Sequence, residues 1–185
     1  MRSATQPVSS YARHHGRRFV AELCDFLRFP SVSATPGSPA IRECTSWLAR
    51  HARSIGLEEA GTIRTPGAPV VFGRWRRSGP ARPTVLIYGH YDVQPADPVA
   101  AWRSPPFDPV LRGENLYARG ASDDKGQLFT HLKACESWLK ATGSLPVNVT
   151  CLFEGQEETG SAHFREVLEQ HRPGVAADVA VISDT

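Results

Sequence analysis

Three short apolar runs, TVLIYG (84–89), VTCLFEG (149–155) and VAVIS (179–183), each stop at residues able to ligate a metal or move a proton. The first leads into His90 and Asp92, the second into Glu157 and Glu158, the third into Asp184. Runs of this length, rich in β-branched and aromatic residues, read as buried strands. Segments of helical periodicity lie between them, so the pattern predicts an α/β layered fold with a largely parallel or mixed sheet. In open α/β sheets the working crevice lies beyond the carboxyl ends of the strands. Parallel neighbours would therefore gather residues that the chain order scatters.

The remaining segments fit that frame. Phe19, Val20, Leu23, Phe26 and Leu27 recur at helical spacing until FPSVSATPGSP breaks the helix. Ile41, Cys44, Trp47, Leu48 and Ile55 form a second stripe, closed by Gly56. Strands are expected over 69–76 and 83–88, separated by the turn RRSGPARP. A long proline-bearing loop, 90–107, follows, with Trp102 and Phe107 as its anchors. Leu128, Leu132, Cys135 and Leu139 share one face of a helix from Asp124 to about Lys140, with Asp124 placed to cap it. A further helix is expected from about Ser161 to His171.

Composition excludes several alternatives. A net charge of +2 lacks the basic footprint of nucleic-acid or anionic-membrane binding, so neither partner is expected. No signal-peptide pattern and no apolar stretch long enough to span a bilayer is present, which makes a cytoplasmic location the default expectation. Cys24, Cys44, Cys135 and Cys151 form no CxxC pair and read as free thiols, three of them among apolar residues, rather than as disulfides or metal ligands. The absence of a Gly-rich GK[ST] loop argues against phosphate transfer.

The polar set itself favours a metal. One imidazole with several carboxylates and no thiolate suits zinc, or a similar divalent ion, at a catalytic site. The adjacent pairs Asp123–Asp124 and Glu157–Glu158 would repel if crowded together, and a dication removes that penalty. In His90-x-Asp92 the two side chains point the same way on an extended segment, so Asp92 is placed to orient the His90 ring. Blander readings apply to the neighbours. Asp124 is read as the helix cap, Lys125 as structural and paired with a nearby carboxylate, Glu154 as outside the site, and Gly89, Gly120, Gly126 and Gly160 as turn residues. The remaining histidines carry no motif.

The motifs GHYDVQP, GENLYARGASDDKG, VNVTCLFEGQEETGS and VISD, in this order, closely resemble a family of zinc-dependent metallopeptidases. That family includes carnosinase-type dipeptidases, glutamate carboxypeptidase, aminoacylase, acetylornithine deacetylase and succinyl-diaminopimelate desuccinylase. GHYDVQPADP and PPFDP bring the chain nearest to the dipeptidase branch, and Ala118 stands where many relatives have glycine. The resemblance implies a three-layer helix-sheet-helix zinc-exopeptidase-like domain with a mostly parallel mixed sheet. It implies two zinc ions, with cobalt or manganese as substitutes. His90 and Asp184 would ligate the first, Glu158 the second, and Asp123 would bridge them. Asp92 would support His90, and Glu157 would be the general base for amide or peptide hydrolysis.

Relatives of this kind are longer than 185 residues. The resemblance therefore implies an N-terminal extension, 1–14, ahead of the N-terminal part of a catalytic domain, 15–185. A dimerisation domain, the rest of the catalytic domain and a second-zinc histidine would lie outside this sequence, and the longer parent would be a homodimer. The chain alone is expected to hold at most one zinc weakly, with little turnover. Two other functions remain open: an N-acyl-amino-acid deacylase with the same metal chemistry, and a non-catalytic remnant serving as a binding or assembly module.

Overall fold

The computed structural model describes residues 5–35 and 37–184; residues 1–4 of the expected extension, Pro36 and Thr185 lie outside them. Helix α1, Thr5–Leu27, is continuous across residues 14 and 15 and buries Phe26 and Leu27 at its end. Helix α2, Pro39–Ser54, starts on a proline, whose missing N–H costs nothing in a first turn, and buries Ile41, Cys44, Leu48 and Ala52. Strand β1, Glu59–Ile63, pairs antiparallel with β2, Val70–Trp75. Sequence reading does not find β1, because EAGTI shows no apolar alternation and buries only Gly61.

Strand β3 spans Thr84–His90. The loop after it is pinned by Trp102, whose indole N–H donates to the Ala96 carbonyl and whose ring lies under the Arg119 guanidinium. A two-stranded ribbon, β4 (Val110–Arg112) and β5 (Asn115–Tyr117), leads to helix α3, Lys125–Thr142. Gly143 ends α3 in the left-handed region, at φ 78°, and its N–H returns to the Leu139 carbonyl. Strand β6 (Asn148–Glu154), short helices α4 (Phe164–Gln170) and α5 (Arg172–Val175), and strand β7 (Val179–Ile182) complete the described chain.

The five-stranded sheet has the order β1-β2-β6-β3-β7. The β1–β2 and β2–β6 pairs are antiparallel, and β6–β3 and β3–β7 are parallel. Helices α1, α2 and α3 cover one face, packing on Val71, Ile87, Val149, Cys151 and Phe153. On the other face Val70 and Leu152 meet Val167 of α4 and Val175 of α5. Cover on both faces explains why every residue of β6 is buried. All four cysteines are free thiols, and Cys44, Cys135 and Cys151 are buried.

Charged side chains join α1 to α3. The Lys133 ammonium lies 2.5 Å from Glu22 and 2.7 Å from Glu136, and Arg18 pairs with the same two carboxylates. Lys125 is buried as well, but not beside a carboxylate as expected. Its Nζ donates to the main-chain carbonyls of Phe26 (3.3 Å) and Phe29 (2.7 Å), where the α1 dipole favours a cation.

His51 stacks on Trp47 and also packs against the Phe129 ring near this cluster. Burial, assisted by the Lys133 charge, lowers its pKa to about 4 from 6.5. The folded state thus keeps His51 neutral while the unfolded chain takes a proton below pH 6.5. The resulting stability is complete above that pH and is lost as the pH falls toward 4. Between pH 7 and pH 5 the loss is on the order of 2 kcal/mol. His51→Phe, which keeps the stacking, should flatten this part of a urea-midpoint profile; an unchanged slope would place the titration elsewhere.

Candidate metal centre

The sheet order places β3 between β6 and β7, and all three run parallel, so their carboxyl ends emerge side by side. His90 is the last residue of β3 and is fully buried. Its Nδ1 lies 3.1 Å from the Asp92 main-chain carbonyl and 3.3 Å from Asp92 Oδ1. A proton on Nδ1 satisfies these acceptors and leaves the Nε2 lone pair facing outward. Three carboxylates converge on Nε2: Asp123 Oδ1 at 3.1 Å, Asp184 Oδ2 at 3.8 Å and Glu157 Oε2 at 3.9 Å.

Asp92 does more than orient the ring. Its Oδ1 and Oδ2 accept the main-chain N–H groups of Glu157 (3.3 Å) and Glu158 (3.1 Å), joining the end of β3 to the turn after β6. That turn is a single 3-10 turn, Glu157–Thr159, closed by Gly160 at φ 92°. Glu158 is held from the other side by Gln94, whose N–H reaches Oε1 at 3.1 Å and whose side-chain amide reaches Oε2 at 2.7 Å. Gln94 was missed in the sequence; its only signal is its place two residues beyond Asp92 on the same extended segment.

Asp123 and Asp124, joined by a cis peptide, differ in burial and in partner. Asp123 is half exposed and meets His90, whereas Asp124 is 1% exposed. Asp124 occupies the N-cap position of α3 but makes no capping hydrogen bond, contrary to expectation. Its Oδ2 instead accepts the His90 main-chain N–H at 3.0 Å, and its Oδ1 has no partner among the described residues. Burial raises its pKa to about 6, against the lowering effect of His90. Gly89 lies within β3 rather than in a turn. A Cβ there would come within 2.6 Å of Asp124 Oδ2, so only glycine admits the α3 N-terminus this close. At the third strand end, His131 of α3 anchors Ser183 at 2.7 Å, next to Asp184.

The donors form two overlapping groups, His90–Asp123–Glu158 and His90–Glu157–Asp184, each with ligand atoms within 4.8 Å of one another. Among the described residues no lysine or arginine pairs with these carboxylates. A third group, Glu22–His51–Glu136, differs because the Lys133 ammonium already fills it. Burial works against a charged His90, but Asp92, Asp124 and Glu157 outweigh it and raise its pKa to about 10. Burial also raises Glu157, with Asp184 and Glu158 adding to the shift and His90 opposing it. One imidazole nitrogen amid carboxylate oxygens that no described lysine or arginine pairs with is a donor set that fits a divalent cation such as zinc.

The pattern of Peptidase family M20/M25/M40 matches residues 86–185. The chain is 34% identical to the Cys-Gly metallodipeptidase DUG1 of Candida albicans, over 97% of this chain and 40% of that protein. It is 38% identical to the human Beta-Ala-His dipeptidase, over 97% of this chain and 38% of that one. The solved M20 family metallo-carboxypeptidase Sso-CP2 from Sulfolobus solfataricus superposes with a TM-score of 0.84 at 36% identity, over 90% of this chain and 37% of the other. The chain thus spans about two-fifths of the length of the curated relatives it matches. No described helix is long and apolar enough to cross a membrane. With its parallel strand ends and their donor set in the matched region, the chain belongs to peptidase family M20/M25/M40.

Proposed function

We propose that this chain carries the metal centre of a zinc-dependent peptidase that hydrolyses small peptides of the dipeptide class. The convergence of three carboxylates on His90 Nε2 carries the reading. His90, Asp123 and Asp184 would hold one zinc, and Asp123 with Glu158 would contribute to a second. Bound zinc supplies Lewis acidity, polarising the scissile carbonyl and acidifying the attacking water.

The protein residues do the rest. Asp92 fixes the His90 ring and, through the Glu157 and Glu158 amides, the turn that presents both glutamates. Glu157 takes the proton from water and returns it to the leaving amine. Gln94 limits the swing of Glu158.

Metal content after dialysis and turnover of dipeptides against N-acetyl and N-succinyl amino acids, measured on the natural polypeptide bearing this sequence, test the reading. Bound zinc with preferential dipeptide turnover is the expected result. Preference for N-acyl substrates would make it a deacylase, and neither metal nor turnover would make it a binding module.

A further inference from the structure

Glu154 lies just ahead of the turn that carries Glu157 and Glu158, yet none of the metal-competent groups includes it. It ends β6 with its side chain on the Tyr88 side of the sheet, and it is 2% exposed. Two hydroxyls from opposite directions donate to one of its oxygens. Tyr88 on β3 reaches Oε1 at 2.7 Å, and Ser161, just past the turn, reaches the same atom at 2.9 Å. The Glu154 main-chain carbonyl accepts the Tyr91 N–H at 2.8 Å, one residue after His90.

Ser161 is unusual in its own right. At φ 52° it is the one non-glycine residue with positive φ among the described residues. A side-chain-bearing residue holds that conformation only when its surroundings enforce it, and such residues cluster at functional sites. Here the enforcement is visible. The Ser161 N–H donates to the Gln156 carbonyl at 2.8 Å, its hydroxyl is held by Glu154, and its carbonyl accepts the first N–H of α4, from Phe164. Phe164 in turn packs against the Tyr88 ring. The eight residues 154–161 thus form a loop whose two ends are tied at a single carboxylate oxygen, while Asp92 holds its middle.

We propose that Glu154, Tyr88 and Ser161 form a buried clip that closes this loop and aims Glu157 and Glu158 at His90. They are positioning residues, since Glu154 Oε1 is occupied by two hydroxyl donors and reaches the centre only through the loop. The inference rests on the metal-centre reading for its consequence, but the clip itself is a property of the polypeptide.

The test uses the natural polypeptide bearing this sequence, with Co2+ alone as the metal probe and amide hydrogen exchange as a readout that needs no metal. Ser161→Ala removes one hydroxyl and leaves a methyl group at the left-handed position. Glu154→Ala removes the acceptor, whereas Glu154→Gln keeps an amide oxygen in place for both hydroxyls. Ser161→Ala and Glu154→Ala should speed exchange at residues 156–160 by about tenfold or more while β6 exchange stays near wild type, because the opening is local. The same variants should weaken Co2+ binding by roughly 10–100-fold, the usual effect of removing a group that supports a metal ligand. Glu154→Gln should restore both readouts to near wild type.

Unchanged exchange at 156–160 in Ser161→Ala would overturn the clip. So would equal acceleration throughout β6, which marks a general loss of stability, or Glu154→Gln as damaging as Glu154→Ala. If Glu154→Ala fails to fold, Ser161→Ala and Glu154→Gln still decide the matter. A wild-type polypeptide that takes up no Co2+ would count against the metal-centre reading, and the exchange result would still settle the clip.

Discussion

Glu157→Gln is expected to lower kcat for dipeptide hydrolysis by about 10^2–10^4-fold in the natural polypeptide bearing this sequence, the range contributed by a positioned acid–base group. Metal content should be retained. Glutamine preserves the shape of the side chain, and the Glu157 main-chain N–H that anchors the turn to Asp92 is untouched. The two glutamates should therefore separate experimentally. Glu158→Gln weakens metal retention, while Glu157→Gln leaves metal in place and removes turnover. Loss of metal from Glu157→Gln would instead make Glu157 a ligand, a role that its 3.9 Å approach to His90 Nε2 also permits geometrically.

His90→Ala is expected to weaken divalent-metal binding by more than about 100-fold, beyond the effect of a residue that merely supports a ligand. It removes the nitrogen on which Asp123, Glu157 and Asp184 converge. It also has a consequence in the metal-free chain. With its pKa raised to about 10, His90 supplies the positive charge among these acids. Its contribution to stability is complete below the unfolded value of 6.5 and is lost as the pH rises through 10. Because a ligating imidazole must be neutral, zinc uptake at pH 7 should release about one proton from His90, and affinity should fall as the pH falls. Calorimetric titration of wild type and His90→Ala in buffers of different ionisation enthalpy measures both. Equal affinity in the two proteins would remove His90 from the site.

Much of this arrangement is legible in the residues because continuous apolar runs mark strands in local composition, even for β7, which stays largely exposed although its run reads as buried. TVLIYG, VTCLFEG and VAVIS are β3, β6 and β7 within a residue or two, and the helical stripe through Leu128 and Leu132 is α3. Strand β1 is not legible, because an edge strand whose only buried residue is a glycine is defined by its pairing with β2 rather than by its own pattern. Asp124 and Lys125 were misread for a related reason. Their positions beside a helix start are local facts, but the His90 N–H and the Phe26 and Phe29 carbonyls reach them from 34 to 99 residues away.

The same division holds for the whole protein. Sequence alone determined the layered α/β class, the free thiols and the residue types suited to a divalent metal, since burial periodicity and ligand chemistry are properties of short segments. Tertiary structure decided which polar residues act together. Placing β3 between β6 and β7 makes His90 the meeting point, and the approach of α3 over Gly89 turns Asp124 inward. The closure of the 154–161 loop brings in Tyr88, Glu154 and Ser161. Hydrogen bonds and charge pairs act over about 3–4 Å in space. Spacing along the chain carries no record of them until the sheet has set its order.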